Sequence, residues 1–223
     1  MLKIGICGYG TVGQSLVDHV LSYNKKIRLN VSSDFTITRI ADRSIDKKDY
    51  PKDITVTKDP LDLPADSNID IIIELLGGID LPYKIITESI RNKKHVVTAN
   101  KALIAEHGDE IFQLAKENNV YFGFEASVAG AIPIINTINK NMANENIISL
   151  VGIINGTCNY ILDQMASCDM SFNDALSSAK ELGYAEADPT FDINGMDAAH
   201  KISILSSLVY KIKSPLKNTY IQG

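Results

Sequence analysis

Tryptophan is absent from the 223-residue chain, cysteine appears only three times, and no apolar run is long. Each scarcity removes a class of protein. The cysteines, Cys7, Cys158 and Cys168, are odd in number and lack metal-ligand spacing, which argues against a disulfide framework or a thiolate metal site and fits a reduced, cytoplasmic chain. Asp70 and Glu74 bracket the most hydrophobic stretch, so nothing approaches the roughly 18 residues of a membrane span. The opening MLKIGICGYG enters a strand at once and offers no signal segment. Basic residues are outnumbered, 22 Lys and Arg against 27 Asp and Glu, so the net charge of −5 gives no footprint for nucleic acid. The four histidines, His19, His95, His107 and His200, show no paired spacing with carboxylates, and no metal is assigned to them.

What is present is ordinary for a globular protein, 45% apolar and 22% charged, with a length of one large or two small domains. Residues 1–126 alternate between two periods. LKIGIC, FTITRIAD, IDIIIELL, HVVTA and VYFGFEA read as strands; the continuous β-branched run in IDIIIELL marks burial on both faces. TVGQSLVDHVLSY, PYKIITESIRNKK and GDEIFQLAKENN read as helices, with Val12, Leu16, Val17, Val20 and Leu21 at helical spacing in the first. Strand alternating with helix predicts a Rossmann-type, doubly wound parallel sheet.

Residues 127–223 have a different texture and predict a smaller α+β domain. NIISLVGIIN reads as a strand, while GAIPIINTINK, GTCNYILDQMA, SFNDALSSAKELG and NGMDAAHKISILSSLVY read as helices. Asn155 and Asn194 are placed to cap two of them, and Ser171 with Asp174 has capping-box spacing ahead of Gly183. No linker separates the two parts, so they are expected to pack together.

GICGYGTVGQS holds Gly8, Gly10 and Gly13 in the spacing G-x-G-x-x-G, after a strand and before a helix. Gly8 permits the tight turn, Gly10 the approach of a pyrophosphate, and Gly13 the close packing of helix on strand. Thr11 and Val12 open the helix whose unpaired N–H groups would face the phosphates. Asp42, at the end of the next strand, is placed to accept from ribose hydroxyls and favours NAD. It lies beyond the usual spacing of about 20 residues, because SYNKKIRLNVSSDF intervenes. Arg43, with Lys47 and Lys48 nearby, would instead hold a 2′-phosphate, so NAD and NADP both stay open. Asp197 and Lys201 are spaced i, i+4 on one helical face, among Ala198, Ala199, Ile202 and Leu205. As an exposed pair they would contribute only a few tenths of a kcal/mol; partly buried, they become a candidate site.

The segments GYGTVG, IELLGGIDLPYKIITESIRNKKHVVTANKALIAEHGDE, FEASVAGAIPII, VGIINGTCNYIL and ELGYAEADPTFDINGMDAAHKISIL, in this order, resemble the homoserine dehydrogenase family over nearly the whole chain. The resemblance implies NAD(P)-dependent hydride transfer between homoserine and aspartate semialdehyde, on the route to threonine, methionine and isoleucine. It implies that Glu186 and Asp197 hold the substrate ammonium and the lysine, with Lys201 as proton donor and acceptor and Asp192 behind them. In that role Lys201 needs a lowered pKa, which desolvation against Ile202–Leu205 would supply. Lys101, at the carboxyl edge of the sheet, competes for the acid–base role and also faces the cofactor. Gly77 and Gly78 are placed for the nicotinamide ribose, and Gly156 and Thr157 for the substrate carboxylate or oxygen. Asp188, beside Pro189, reads as a turn residue, and Cys158 as a small buried thiol. Glu125, Val128 and Gly130 match the family's loop for a monovalent cation, Na+ or K+. A homodimer is implied, with residues 127–223 as the α+β domain for substrate binding and dimerisation and no nucleic-acid or membrane partner. The crevice and the pocket of Glu186, Asp197 and Lys201 are expected to meet.

The resemblance also implies further strands and a closing helix beyond Gly223, so the second sheet is expected to be incomplete, with an exposed edge. A truncated, inactive cofactor-binding or interaction subunit is therefore the alternative. Aspartate-semialdehyde dehydrogenase is a weaker one, since it needs an activated cysteine beside a base and Cys158 has no histidine nearby in sequence.

Overall fold

The computed structural model describes residues 1–22, 27, 29, 31, 33–213 and 215–223. Tyr23, expected in the first helix, lies outside the described residues, as do several positions of the 22–35 insert. The chain divides into two compact units, Met1–Ala131 and Ile132–Gly223.

The first unit is a six-stranded sheet of β1 (Leu2–Cys7), β2 (Phe35–Ala41), β3 (Thr55–Thr57), β4 (Ile71–Glu74), β5 (His95–Thr98) and β6 (Phe122–Gly123), in the order β3-β2-β1-β4-β5-β6. Every neighbouring pair is parallel. Helices α1 (Thr11–Ser22), α2 (Asp80–Arg91) and α3 (Lys101–Asn118) follow β1, β4 and β5. Successive side chains of a strand point to opposite faces, and the cores divide accordingly. Ile6 packs with Val17 of α1, Ile37 and Ile40. Its neighbour Cys7 packs with Ile72, Val96, and Ile85, Leu103 and Ile111 of α2 and α3. With both faces covered, each fully buried isoleucine contributes about 1.5–3 kcal/mol.

The second unit contains α4 (Ile134–Asn136), which widens into a π turn over Thr137–Asn141, then α5 (Gly156–Cys168), α6 (Phe172–Glu181), α7 (Thr190–Ile193) and α8 (Met196–Tyr210). The capping signals hold. Asn155 Oδ1 accepts from the Cys158 N–H at 2.7 Å. Ser171 Oγ accepts from the Asp174 N–H and donates to the Asp174 carboxylate, and α6 ends at Gly183 with φ +78°. Asn194 is one position early: Gly195 is the N-cap of α8, and the Asn194 side chain accepts from the Met196 N–H at 3.0 Å. Ile161 of α5 meets Ala175 and Ala179 of α6 in a small core.

Neither β3 nor α7 was expected from the sequence, and one expected strand is absent. Residues 146–155, read as a strand, form no ladder, and no strand occurs among the described residues of this unit. Ile148, Val151 and Ile153 are 89%, 94% and 78% exposed. A β-branched run forms a strand only when another strand pairs its backbone. Among the described residues, no helix is long and apolar enough to cross a membrane.

Candidate active site

The order of strands reverses between β1 and β4, and open α/β sheets bind ligands at the carboxyl ends of strands at such a switch point. A crevice of about 790 Å³ lies there, lined by Asp42, Arg43 and Ser44 on one side and Leu76, Gly77, Gly78 and Ile79 on the other. The glycine turn, joined to Asp42 through the Tyr9 N–H, presents three distinct environments. A Cβ on Gly8 (φ +102°) would lie 2.7 Å from the Leu75 carbonyl oxygen, and one on Gly13 would lie 2.2 Å from that of Gly8. A Cβ on Gly10 would meet nothing within 4 Å, so only there is the loop open to a ligand. This opening lies at the head of α1, where Thr11 and Val12 begin the helix and the first N–H groups lack intrahelical partners.

Asp42 is more engaged than a ribose acceptor should be. Its Oδ2 accepts from the Tyr9 N–H and the Lys48 ammonium, both at 2.8 Å. Its Oδ1 accepts from the N–H and hydroxyl of Ser44 at 2.8 and 2.7 Å. Burial raises its pKa, but the bonds from Lys48, Ser44 and Tyr9 together outweigh that and hold the carboxyl well below the usual range. Lys48 also donates to the Tyr9 carbonyl at 2.7 Å, so it ties the glycine loop and Asp42 together. Arg43 is exposed at the crevice wall. Lys47 is exposed in the 3-10 turn Ile45–Lys47.

At the same edge Lys101 is the first residue of α3, after Asn100, whose Oδ1 accepts from the Leu103 N–H at 3.1 Å. Glu125 starts a 3-10 turn ending at Ser127; Val128 is buried and Gly130 exposed. Ala129 and Ala131, at φ +51° and +67°, alternate with Val128 and Gly130, a strained path for alanine. His107 Nδ1 lies 3.6 Å from Glu110 Oε2, a pairing that the spacing did not reveal. Among the described residues no group of three or more His, Cys, Asp or Glu is arranged for a metal ion.

In the second unit Asp197 and Lys201 form a largely buried pair on one face of α8. Asp197 is 3% exposed, and its Oδ2 accepts from Lys201 Nζ at 2.6 Å. Lys201 donates also to the Ile154 carbonyl at 2.8 Å, so a carboxylate and a carbonyl hold its ammonium. Asn155, read only as a cap in the sequence, joins the group together. Its Nδ2 donates to Asp197 Oδ2 and to Asp192 Oδ1, both at 2.8 Å. Thr157 does not offer its hydroxyl outward: Oγ1 lies 2.6 Å from the Tyr184 carbonyl and 3.2 Å from Asp192 Oδ2. What Gly156 and Thr157 retain are N–H groups in the first turn of α5, which lack partners within a helix.

Glu186 is exposed on the loop before α7. Asp188 is a turn residue, as read, with Oδ1 accepting from the Thr190 N–H at 3.1 Å. Cys158 lies against the Asp192 carbonyl; burial and then the charges of Asp192 and Asp197 push its thiol pKa up, which suits an inert thiol.

Comparison with known proteins agrees with both units. Residues 8–125 match the family model described as homoserine dehydrogenase, NAD binding domain, and residues 133–223 match that described as homoserine dehydrogenase. A homoserine dehydrogenase of Pseudomonas aeruginosa is 43% identical over the whole of this chain and 51% of its own length. The crystal structure of a homoserine dehydrogenase from Thiobacillus denitrificans superposes with a TM-score of 0.93 at 41% identity, over all of this chain and 52% of the other. A hyperthermophilic archaeal homoserine dehydrogenase in complex with NADPH gives a TM-score of 0.80 at 28% identity, over 95% of this chain and 70% of the other. The chain thus spans about half the length of the curated relatives it matches. Matched by both family models and 43% identical over its whole length to a relative of that name, the chain belongs to the homoserine dehydrogenase family.

Proposed function

We propose that this chain carries the cofactor-binding and substrate-recognising machinery of an NAD(P)-dependent homoserine dehydrogenase, interconverting L-homoserine and L-aspartate 4-semialdehyde in the biosynthesis of threonine, methionine and isoleucine. The observation that carries this reading is the buried Asp197 carboxylate holding the Lys201 ammonium at 2.6 Å beside Asn155 and Asp192. A buried ion pair is costly to maintain and is weak evidence for stability alone.

A nicotinamide cofactor, when held in the crevice lined by Arg43, Gly77 and Gly78, would supply or accept the hydride. Lys201 delivers a proton to the substrate oxygen in reduction and removes it in oxidation, and Asp197 keeps its ammonium aimed. Glu186, exposed and anionic, meets the substrate ammonium, while Asp192 steadies Asn155. The N–H groups of Gly156 and Thr157 receive the carboxylate. Lys101 acts on the cofactor side rather than as the acid–base group. Na+ or K+ is taken by carbonyls of the 125–130 loop, and the working state is a homodimer. The test is homoserine oxidation followed at 340 nm with NAD and NADP side by side. Turnover with either cofactor is expected; its absence with both would reject the reading.

NADP is the preferred cofactor in this proposal. A carboxylate has about four acceptor positions, and Asp42 already takes four donors from Tyr9, Ser44 and Lys48. Little capacity is left for ribose hydroxyls, whereas the exposed Arg43 suits a 2′-phosphate. Lys48→Met releases one acceptor position, so the ratio of kcat/KM for NADP over NAD is expected to fall about fivefold or more, within the weight of one charge-assisted hydrogen bond. An unchanged ratio would return the ribose to Asp42.

A second reading, an interaction subunit, is favoured by the exposed 147–154 segment alone. Cofactor binding without turnover, with activity restored by a separate polypeptide carrying the relatives' remaining half, would select it.

A further inference from the structure

We infer that Glu74, a residue outside the roles proposed so far, is the positioning residue that locks the two loops of the carboxyl edge together before cofactor arrives. Its side chain is 0% exposed at the end of β4. Oε1 accepts from the Leu76 N–H at 2.6 Å, which fixes the start of the loop carrying Gly77 and Gly78. Oε2 accepts from the Thr98 hydroxyl at 2.5 Å, on the neighbouring strand β5. Thr98 Oγ1 in turn accepts from the Asn100 N–H at 3.0 Å. The Asn100 amide donates to the Gly78 carbonyl at 2.8 Å, while its Oδ1 caps the helix that Lys101 begins. The links therefore close a ring, from Glu74 through Thr98 and Asn100 to Gly78 and back along the chain to Leu76.

Two further features show that this ring holds cofactor-facing backbone. Leu76, Gly77 and Gly78 form one wall of the 790 Å³ crevice. The other side of the same loop presses on the glycine turn, since a Cβ on Gly8 would lie 2.7 Å from the Leu75 carbonyl. The loop after β4 is thus held between the glycine turn and a buried carboxylate. Burying Glu74 penalises its charge and raises its pKa, against the two hydrogen bonds that favour the ionised form. Both of its partners can donate. Glutamine in its place would set an NH2 group against one of those donors, so the amide is not an innocent replacement. A loop fixed in advance loses less freedom on binding, and that difference appears as affinity.

The role of the ring as a cofactor clamp rests on the dehydrogenase reading; the coupling of the two loops does not. The experiment is amide hydrogen exchange on Thr98→Val, together with NADPH titration. Thr98 ends β5 and lies outside the loop after β4, yet exchange at residues 75–79 is expected to rise about tenfold, the weight of one charge-assisted hydrogen bond. The NADPH dissociation constant is expected to rise by about the same factor, with the KM for homoserine unchanged. Asn100→Ser serves if Thr98→Val does not fold: serine keeps the helix cap but cannot reach Gly78, and the same pair of changes is expected. Exchange that rises only at 98–103, or an unchanged NADPH constant with both loops loosened, would overturn the inference. A wild-type chain that binds no NADPH defeats the dehydrogenase reading and the clamp with it. Exchange confined to 98–103 in a chain that does bind defeats the clamp alone.

Discussion

Lys201→Arg is expected to lower kcat for homoserine oxidation by about 10²–10⁴-fold, the range of a general acid–base group, while cofactor binding persists. Arginine keeps the positive charge that Asp197, 3% exposed, requires, but its guanidinium does not give up a proton in proteins. Lys201→Ala is expected to lose the same turnover and some stability as well. It would leave Asp197 with Asn155 but without the ammonium at 2.6 Å, and a buried charge stripped of its partner is strongly destabilising. The pair of variants separates chemistry from folding. If arginine retained kcat within tenfold of the wild type, proton transfer would have to be reassigned, and Lys101 would be the next residue to replace.

The same substitution at two glycines of one loop is expected to have opposite effects. Gly13→Ala brings a methyl group 2.2 Å from the Gly8 carbonyl, and neither group lies on a flexible side chain that can move aside. The loop must shift, at about 1–3 kcal/mol or more. For a chain of this size that is a fall in Tm of roughly 2–12 °C. Gly10→Ala meets nothing within 4 Å, so its Tm is expected to stay near the wild-type value. Its methyl group instead occupies the approach of the pyrophosphate. Losing one or two charge-assisted hydrogen bonds there raises the cofactor dissociation constant about ten- to a hundredfold. Scanning calorimetry and a cofactor titration on the two variants suffice. A thermally neutral Gly13→Ala, or a Gly10→Ala that binds as tightly as the wild type, would remove the distinction between the packing glycine and the binding glycine.

How far the sequence could be read depended on the range of the interaction. The Ser171–Asp174 box and the Asn155 cap were legible because each spans three residues. Asp197 and Lys201 were legible as a pair for the same reason, being one helical turn apart. Their apolar neighbours on the helix pointed to partial burial, but the bond from Lys201 to the Ile154 carbonyl was not legible, because Ile154 lies 47 residues earlier. Asn155 looked like a cap and nothing more, since its other partners lie 37 and 42 residues away. Residues 147–154 have the composition of a strand but not the neighbour that would make them one.

By itself, the sequence determined the alternating α/β order, the faces of each strand and helix, and the glycine turn, because these follow from periods of two and 3.6 residues and from steric rules at single positions. Only the tertiary structure decided that Asp42 is already engaged by Lys48, that Glu74 joins the β4 and β5 loops, and that Asn155 bridges two carboxylates. Hydrogen bonds across the fold are short in space between residues distant in the chain, so no local pattern of residues announces them.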